Sequence, residues 1–174
     1  VGGTDHATRH LLYARFWHKF LCDIGVVSGE EPFKRLVNQG FITASDGRKM
    51  SKRWGNVINP DEVVADFGAD AFRLYEMFMG PFGQTIAWNT DGVVGTRRFL
   101  EKVWKLQGRV SKKASRVSDE NIENLLHQTI KKVTLDIEDF KFNTAVSSLM
   151  VLANAFEKQK ILVSFSHYRT LLLL

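Results

Sequence analysis

Cysteine is almost absent from these 174 residues, Cys22 being the single one. A lone thiol excludes an internal disulfide and any zinc site built on cysteine, and it suits a reducing cytoplasm. No apolar run is long enough to span a membrane, since the longest, near the C-terminus, is broken by Ser166, His167 and Arg169. No basic-then-apolar leader opens the chain, and internal repeats and low-complexity tracts are also lacking. Acid is missing where it would be most noticed. In "DGRKMSKRWGN" four cations (Arg48, Lys49, Lys52, Arg53) crowd six positions with no carboxylate among them.

What is present is globular: 44% hydrophobic and 25% charged residues, with a net charge of +5 and a pI of about 9.4. Such values argue against disorder and lean modestly toward a polyanionic partner. The chain begins at Val1 and stops in "YRTLLLL", inside an apolar helical pattern without a stop signal. It reads as a piece of something longer, whose helix at 163–174 is expected to bury Leu171 to Leu174 against a missing partner.

Thr4 as cap and Gly25 as terminator predict a first helix, apolar around most of its circumference and so expected to be covered on most sides. Pro32 and Gly40 bracket an expected short helix, followed by a strand at 41–44 and a turn at Ser45-Asp46-Gly47. Asn59-Pro60-Asp61-Glu62 predicts a capped helix start, with Glu62 reaching back, and Gly68 its end. A further helix is expected from Ala69 to Met79, its apolar face made by Phe72, Leu74, Tyr75, Phe78 and Met79. A glycine-rich extended connector leads on from it.

After residue 91 strand signals vanish. Helical spacing aligns Phe99, Val103 and Leu106, then Ile122, Leu126, Ile130, Val133 and Ile137 behind a cap at Ser118, then Ala145, Leu149, Leu152 and Phe156. The fold class expected is mostly α with a few short strands: a mixed α/β segment, a connector and an incomplete antiparallel helical bundle.

Two stretches can carry chemistry. Gly47 and Gly55 give the basic loop backbone freedom, and lysine heads are compact charges suited to phosphate oxygens. When a carboxylate attacks the α-phosphorus of ATP, charge builds on the departing pyrophosphate. Cations delivered at that moment stabilise the transition state more than the ground state. A solvated basic turn is the plain alternative, but the ordered string Lys49-Met50-Ser51-Lys52 weighs against it.

In "GGTDHATRH", Gly2 and Gly3 let a ligand approach the backbone, and Asp5 can accept bonds from ribose hydroxyls. His6 and His10 lie one turn apart on one face. Zinc is not expected there, because Ala7 stands where a zinc protease needs glutamate and no third ligand is evident. His18 and His127 read as packing or surface histidines. The run Lys102, Lys105, Arg109, Lys112, Lys113 and Arg116 reads as a wet face before an RNA contact. Trp88 and Trp104 read as core residues before stacking platforms.

Together "GGTDHATRHLLYARFWHKFLCDIGVV", "KMSKRWGNVINPDEVVADFGADAFRLYEMFMGP" and "IAWNTDGVVGTRRFLEKVWKL" resemble bacterial leucyl-tRNA synthetases, class I aminoacyl-tRNA synthetases, from Val1 to about Phe156. The resemblance implies ATP-dependent formation of leucyl-adenylate, then transfer to the terminal ribose of tRNA-Leu. Lys49 and Lys52 are the implied catalytic pair, with Met50 and Ser51 completing the signature loop. Gly2, Gly3, Asp5, His6 and His10 are implied to line the adenylate pocket.

Implied partners are leucine, tRNA and ATP with its Mg2+, in a cytoplasmic, monomeric full-length enzyme with no membrane contact and no protein-bound metal here. Residues 1–58 correspond to the C-terminal part of a Rossmann-like catalytic domain, 59–94 to the stem-contact region, and 95–174 to part of the anticodon-binding bundle. Two departures stand out. Arg53 replaces the usual serine of the signature. The "HIGH" half of the site, the editing domain and an insertion between Phe41 and Lys49 are absent, so the isolated chain is expected not to aminoacylate. A non-catalytic RNA-binding module on this scaffold and a different class I synthetase are the alternatives.

Overall fold

A computed structural model describes residues 2–111, 120–159 and 162–174. The first expected helix begins irregularly. Gly3 is extended, a 3-10 turn covers Thr4–His6, a π-helical stretch covers Ala7–Leu11, and regular α-helix α1 runs Leu12–Asp23. Thr4 therefore does not cap it. Gly25, at φ +74°, does close it, a conformation that glycine adopts without strain. The greasy circumference of α1 is not covered: Tyr13, Phe16, Trp17 and Phe20 remain exposed, stacking edge-on among themselves. From Ile24 to Val37 the chain folds back along α1, held by two ties. Arg15 donates bidentately to Glu31 at 2.6 and 2.8 Å, and the His18 ring bonds the Gly29 carbonyl.

The helix expected between Pro32 and Gly40 does not form. So few residues cannot repay helix nucleation by themselves. Instead Asn38–Gln39 (β2) pairs in parallel with Gly2–Gly3 (β1). Ile42–Thr43 (β3), where a strand was expected, pairs in parallel with Ile86–Ala87 (β4) inside the connector. Gly40 lies between β2 and β3 because a Cβ there would sit 1.8 Å from the Gln84 carbonyl oxygen.

Helix α2 (Pro60–Phe67) starts as its sequence demands, with the Asn59 side chain accepting the Asp61 N–H and Pro60 in the first turn. Among the described residues Glu62 makes no return bond to the cap. Gly68 (φ +88°) separates α2 from α3 (Ala69–Phe78). Helix α4 (Thr90–Leu106) is capped by Asn89. These three helices enclose Val63, Ala71, Tyr75, Trp88 and Val93, with Met50, Ile58 and Leu100 at the margin. Burying this apolar set supplies the main stabilisation. Gly92 is required there, since its Cβ would meet the Tyr75 ring at 2.3 Å.

Helices α5 (Glu120–Glu138), α6 (Phe142–Lys158) and α7 (Phe165–Leu173) build a second core with the end of α4. Leu106, Ile122, Leu126, Leu152, Phe156, Val163 and Leu171 form it. Four details differ from expectation. Val110–Ser111 (β5) and Val163–Ser164 (β6) pair in parallel where no strand was foreseen. Ile137 faces solvent, and Asp136 takes the next inward position of α5. Trp104 is 71% exposed instead of packed. Leu171 is buried within the chain's own core, leaving Leu172 and Leu173 outside. The expected cap Ser118 and the cations Lys112, Lys113 and Arg116 lie outside the described residues.

Candidate functional site

The β1–β2 pair sets one wall of a cleft. Gly2 donates its N–H to the Val37 carbonyl at 3.2 Å, drawing residues 33–39 alongside the glycine–histidine segment. Gly2, Gly3, His6, His10, Leu11, Phe33, Arg35, Leu36 and Gln39 line a space of about 650 Å³. Both histidines face it from the 3-10 and π turns, and the His10 ring lies 6.4 Å from Phe33. Irregular helical turns of this kind are frequent at ligand sites. Asp5 stands close over Gly3, where a Cβ would meet its Oδ1 at 2.9 Å. Among the described residues no group of three or more His, Cys, Asp or Glu gathers to hold a metal.

The basic loop hangs from β3. Asp46 accepts the Arg48 N–H at 3.0 Å and its guanidinium at 2.7 Å. The Arg48 backbone and side chain hold the Asp46 carboxyl below the usual carboxylate range. Lys49 bridges back to Thr43, and Met50 packs against the Val63–Trp88 core. Ser51 then donates its N–H to Asn56 Oδ1 at 2.8 Å, while its hydroxyl accepts the Arg53 N–H at the start of a 3-10 turn, Lys52–Trp54. Gly55, in the left-handed region at φ +62°, ends the turn. Arg48 and Arg53 both lie over the Trp54 ring, at 5.5 and 5.4 Å.

The lysines are used differently. Lys49 Nζ stands 3.8 Å from Asp5 Oδ2 and 4.9 Å from the centre of the Phe41 ring. Lys52 is exposed, and its ammonium has no partner among the described residues. The fold thus joins the two stretches singled out in the sequence at one point, the Lys49–Asp5 contact. It does not bring Lys52 into the cleft.

Residues 9–89 match the family model of class I tRNA synthetases acting for I, L, M and V. That segment is similar to the class I tRNA synthetases. Over 91% of its length the chain is similar, at 37% identity and a TM-score of 0.81, to LeuRS agnB2 of Agrobacterium radiobacter K84, solved as a ternary complex with tRNA and LeuAMS. The chain spans 22% of that protein's length. The fold observed is mostly helical with few short strands, and it is similar to part of a class I synthetase.

Several residues around the cleft and the basic loop escape a reading by motif. Phe33, Arg35, Leu36 and Gln39 reach the cleft because 32–37 forms no helix and 38–39 pairs with β1, which the helix-like bracket of proline and glycine conceals. Asn56 closes the loop from five residues away, and its place directly after Gly55 was the available signal. Asp46 opens the basic stretch in sequence and neutralises one of its four cations in space. No described helix is long and apolar enough to cross a membrane.

Proposed function

We propose that the chain carries the ATP-side part of a leucine–tRNA ligase. The observation that carries this reading is the meeting of Lys49 with Asp5 beside the glycine–histidine cleft. The 37% identity to a LeuRS supports leucine over isoleucine, valine or methionine.

Under this reading the leucine carboxylate attacks the α-phosphorus of ATP and pyrophosphate departs. Gly2 and Gly3 admit the adenylate to the backbone, Asp5 accepts its ribose hydroxyls, and His6 and His10 border it. Lys49 and Lys52 meet the leaving phosphates, which arrive with Mg2+. Met50 anchors the loop through its side chain and Ser51 shapes it through Asn56 and Arg53, so that both hold the loop beside the nucleotide. The leucyl group then passes to the terminal ribose of tRNA-Leu.

Residues 1–58 act as catalytic-domain segment, 59–94 as stem contact and 95–174 as part of the anticodon-side bundle of a cytoplasmic monomer. A purely RNA-binding role is disfavoured because Lys102 and Arg109 are engaged within the fold. Lys102 bonds Asn154 and Glu157, and Arg109 donates to the Glu157 and Gln159 carbonyls.

The test is pyrophosphate exchange by the full-length protein with leucine, isoleucine, valine and methionine. Exchange with leucine is expected; exchange with another of the four instead refutes the substrate assignment. Lys52→Ala is expected to slow adenylate formation by about two to three powers of ten with little change in thermal stability. An unaltered rate removes the lysine from the mechanism.

A further inference from the structure

We propose that Arg35 is an anion-binding residue of the cleft, contacting a phosphate oxygen of the bound nucleotide, and that Phe140 positions it from the turn between α5 and α6. The inference rests on the ligase reading of the cleft. Arg35 is the one cleft-lining residue with a permanent charge. Arg15, Arg48 and Arg97 each lie on a carboxylate. Arg35 has none among the described residues, and its guanidinium instead lies over the Phe140 ring, 5.5 Å from the centroid. An aromatic face fixes a guanidinium without using its N–H groups, so the planar fork stays open to a bidentate anion. An unneutralised fork at a concave surface beside backbone glycines is suited to phosphate.

Phe140 supports the same assignment independently. It is the one non-glycine residue with positive φ among those described, at φ 60°. A bulky side chain is an outlier in that region, and strain of this kind persists only where its surroundings enforce it. Enforcement is visible. Phe140 meets Phe82 and Phe142 at ring separations of 5.5 and 5.6 Å, and Phe82 meets Phe142 at 5.6 Å. The flanking Lys141 N–H donates to the Asp136 carbonyl at 2.7 Å. Glycine or asparagine would take this backbone shape more easily, so the site retains the ring at the expense of strain. The ring presents its face to Arg35. The helical turn between α5 and α6 therefore touches a residue that lines the cleft, and movement of either is felt by the other.

The test uses the full-length protein in leucine-dependent pyrophosphate exchange, with KM for ATP and kcat measured separately. Arg35→Ala is expected to raise KM for ATP by about tenfold, more than it alters kcat, with an unchanged thermal midpoint. Arg35→Lys, which keeps the charge and loses the fork, is expected to fall between. Phe140→Leu is expected to raise KM in the same direction by a smaller factor, and Phe140→Tyr, which retains the ring, to restore it. An unchanged KM in Arg35→Ala, or a defect confined to transfer onto tRNA, overturns the inference while leaving the ligase reading intact. Absence of leucine-dependent exchange in the wild type overturns both.

Discussion

Replacing Gly40 by alanine tests the backbone contact on which the basic loop hangs. The added Cβ would stand 1.8 Å from the Gln84 carbonyl oxygen, 2.2 Å from its carbon and 2.8 Å from the Thr85 nitrogen, all backbone atoms. Ordinary contact begins near 3.4 Å, so the two chain segments must part by more than an ångström. The bonds from Gly40 N–H to Phe82 O and from Ile86 N–H to Phe41 O, each 2.9 Å, cannot survive that separation. Two backbone bonds at about 1 kcal/mol each and an overpacking penalty of about 1–3 kcal/mol give a loss of about 3–5 kcal/mol. For a chain of this size the thermal midpoint should fall by roughly 10 °C. Circular dichroism melting measures the fall, and amide exchange at Gly40 and Ile86 localises it. Gly95→Ala is the control. It lies in α4 with nothing within 4 Å of the new methyl, and it should stabilise by about 0.5–1 kcal/mol. A Gly40→Ala midpoint within about 2 °C of wild type would refute the reasoning.

Three further outcomes follow from groups that neighbour the site. Tyr75 is buried, which pushes its phenol pKa up, and its oxygen accepts the Asn89 N–H at 2.9 Å. Tyr75→Phe should cost about 1 kcal/mol in urea unfolding. Burial pushes the Asp136 carboxyl up, but bonds from Lys132 at 2.8 Å and Thr144 at 2.7 Å outweigh it, so its pKa is lowered. Its stabilisation is complete above the ordinary carboxylate pKa and is lost as pH falls through the lowered one. Asp136→Asn should therefore flatten the decline in stability below about pH 4. Glu76, beside the cleft of Phe41, Ile42 and Met79, is raised by burial against the opposing pull of Arg73. Its folded state loses stability as pH rises through that raised pKa. Glu76→Gln should accordingly stabilise the protein at neutral pH, and the gain should vanish in acid, as read from unfolding midpoints across the range.

Local chemistry made much of this fold legible. Asn59 and Pro60 start α2, and Gly25 and Gly68 take the left-handed conformations that end their helices. Leu126, Val133, Leu152 and Phe156 are buried where their spacing puts them. What failed was decided by residues far away. Asn38 and Gln39 are extended because Gly2 and Gly3 pair with them, and no pattern within 32–40 contains that information. Two-residue strands are too short to show a period, so β5 and β6 were invisible. The aromatic helix α1 carries the composition of a covered element, yet its cover is not among the described residues. The site was half legible for the same reason. Motifs point to Asp5, His6, His10 and the lysines, of which Lys52 stays outside the cleft, whereas Arg35 in the cleft and Asn56 in the loop are placed only by tertiary geometry.

Glycines on both sides of the basic stretch predict a swinging loop, but its contacts put the freedom elsewhere. Met50 is fixed in the core, Asn56 ties Ser51 at 2.8 Å, and Arg48 is held by Asp46 and Trp54. These interactions set the backbone and occupy the arginines. Lys49 is held by a 3.8 Å contact between side chains 73% and 51% exposed and by the face of the Phe41 ring at 4.9 Å, and Lys52 by nothing described. Exposed pairs of that kind are worth about 0–1 kcal/mol, whereas one preorganised contact to developing charge is worth about 2.7–4 kcal/mol. Moving an ammonium from Asp5 to a departing phosphate is therefore favourable without unfolding the loop. Under the ligase reading Asp5 itself turns to the ribose when nucleotide enters, which releases Lys49 at the moment its charge is needed. On that reading the motion required is a change of partner by two flexible side chains on a pinned backbone.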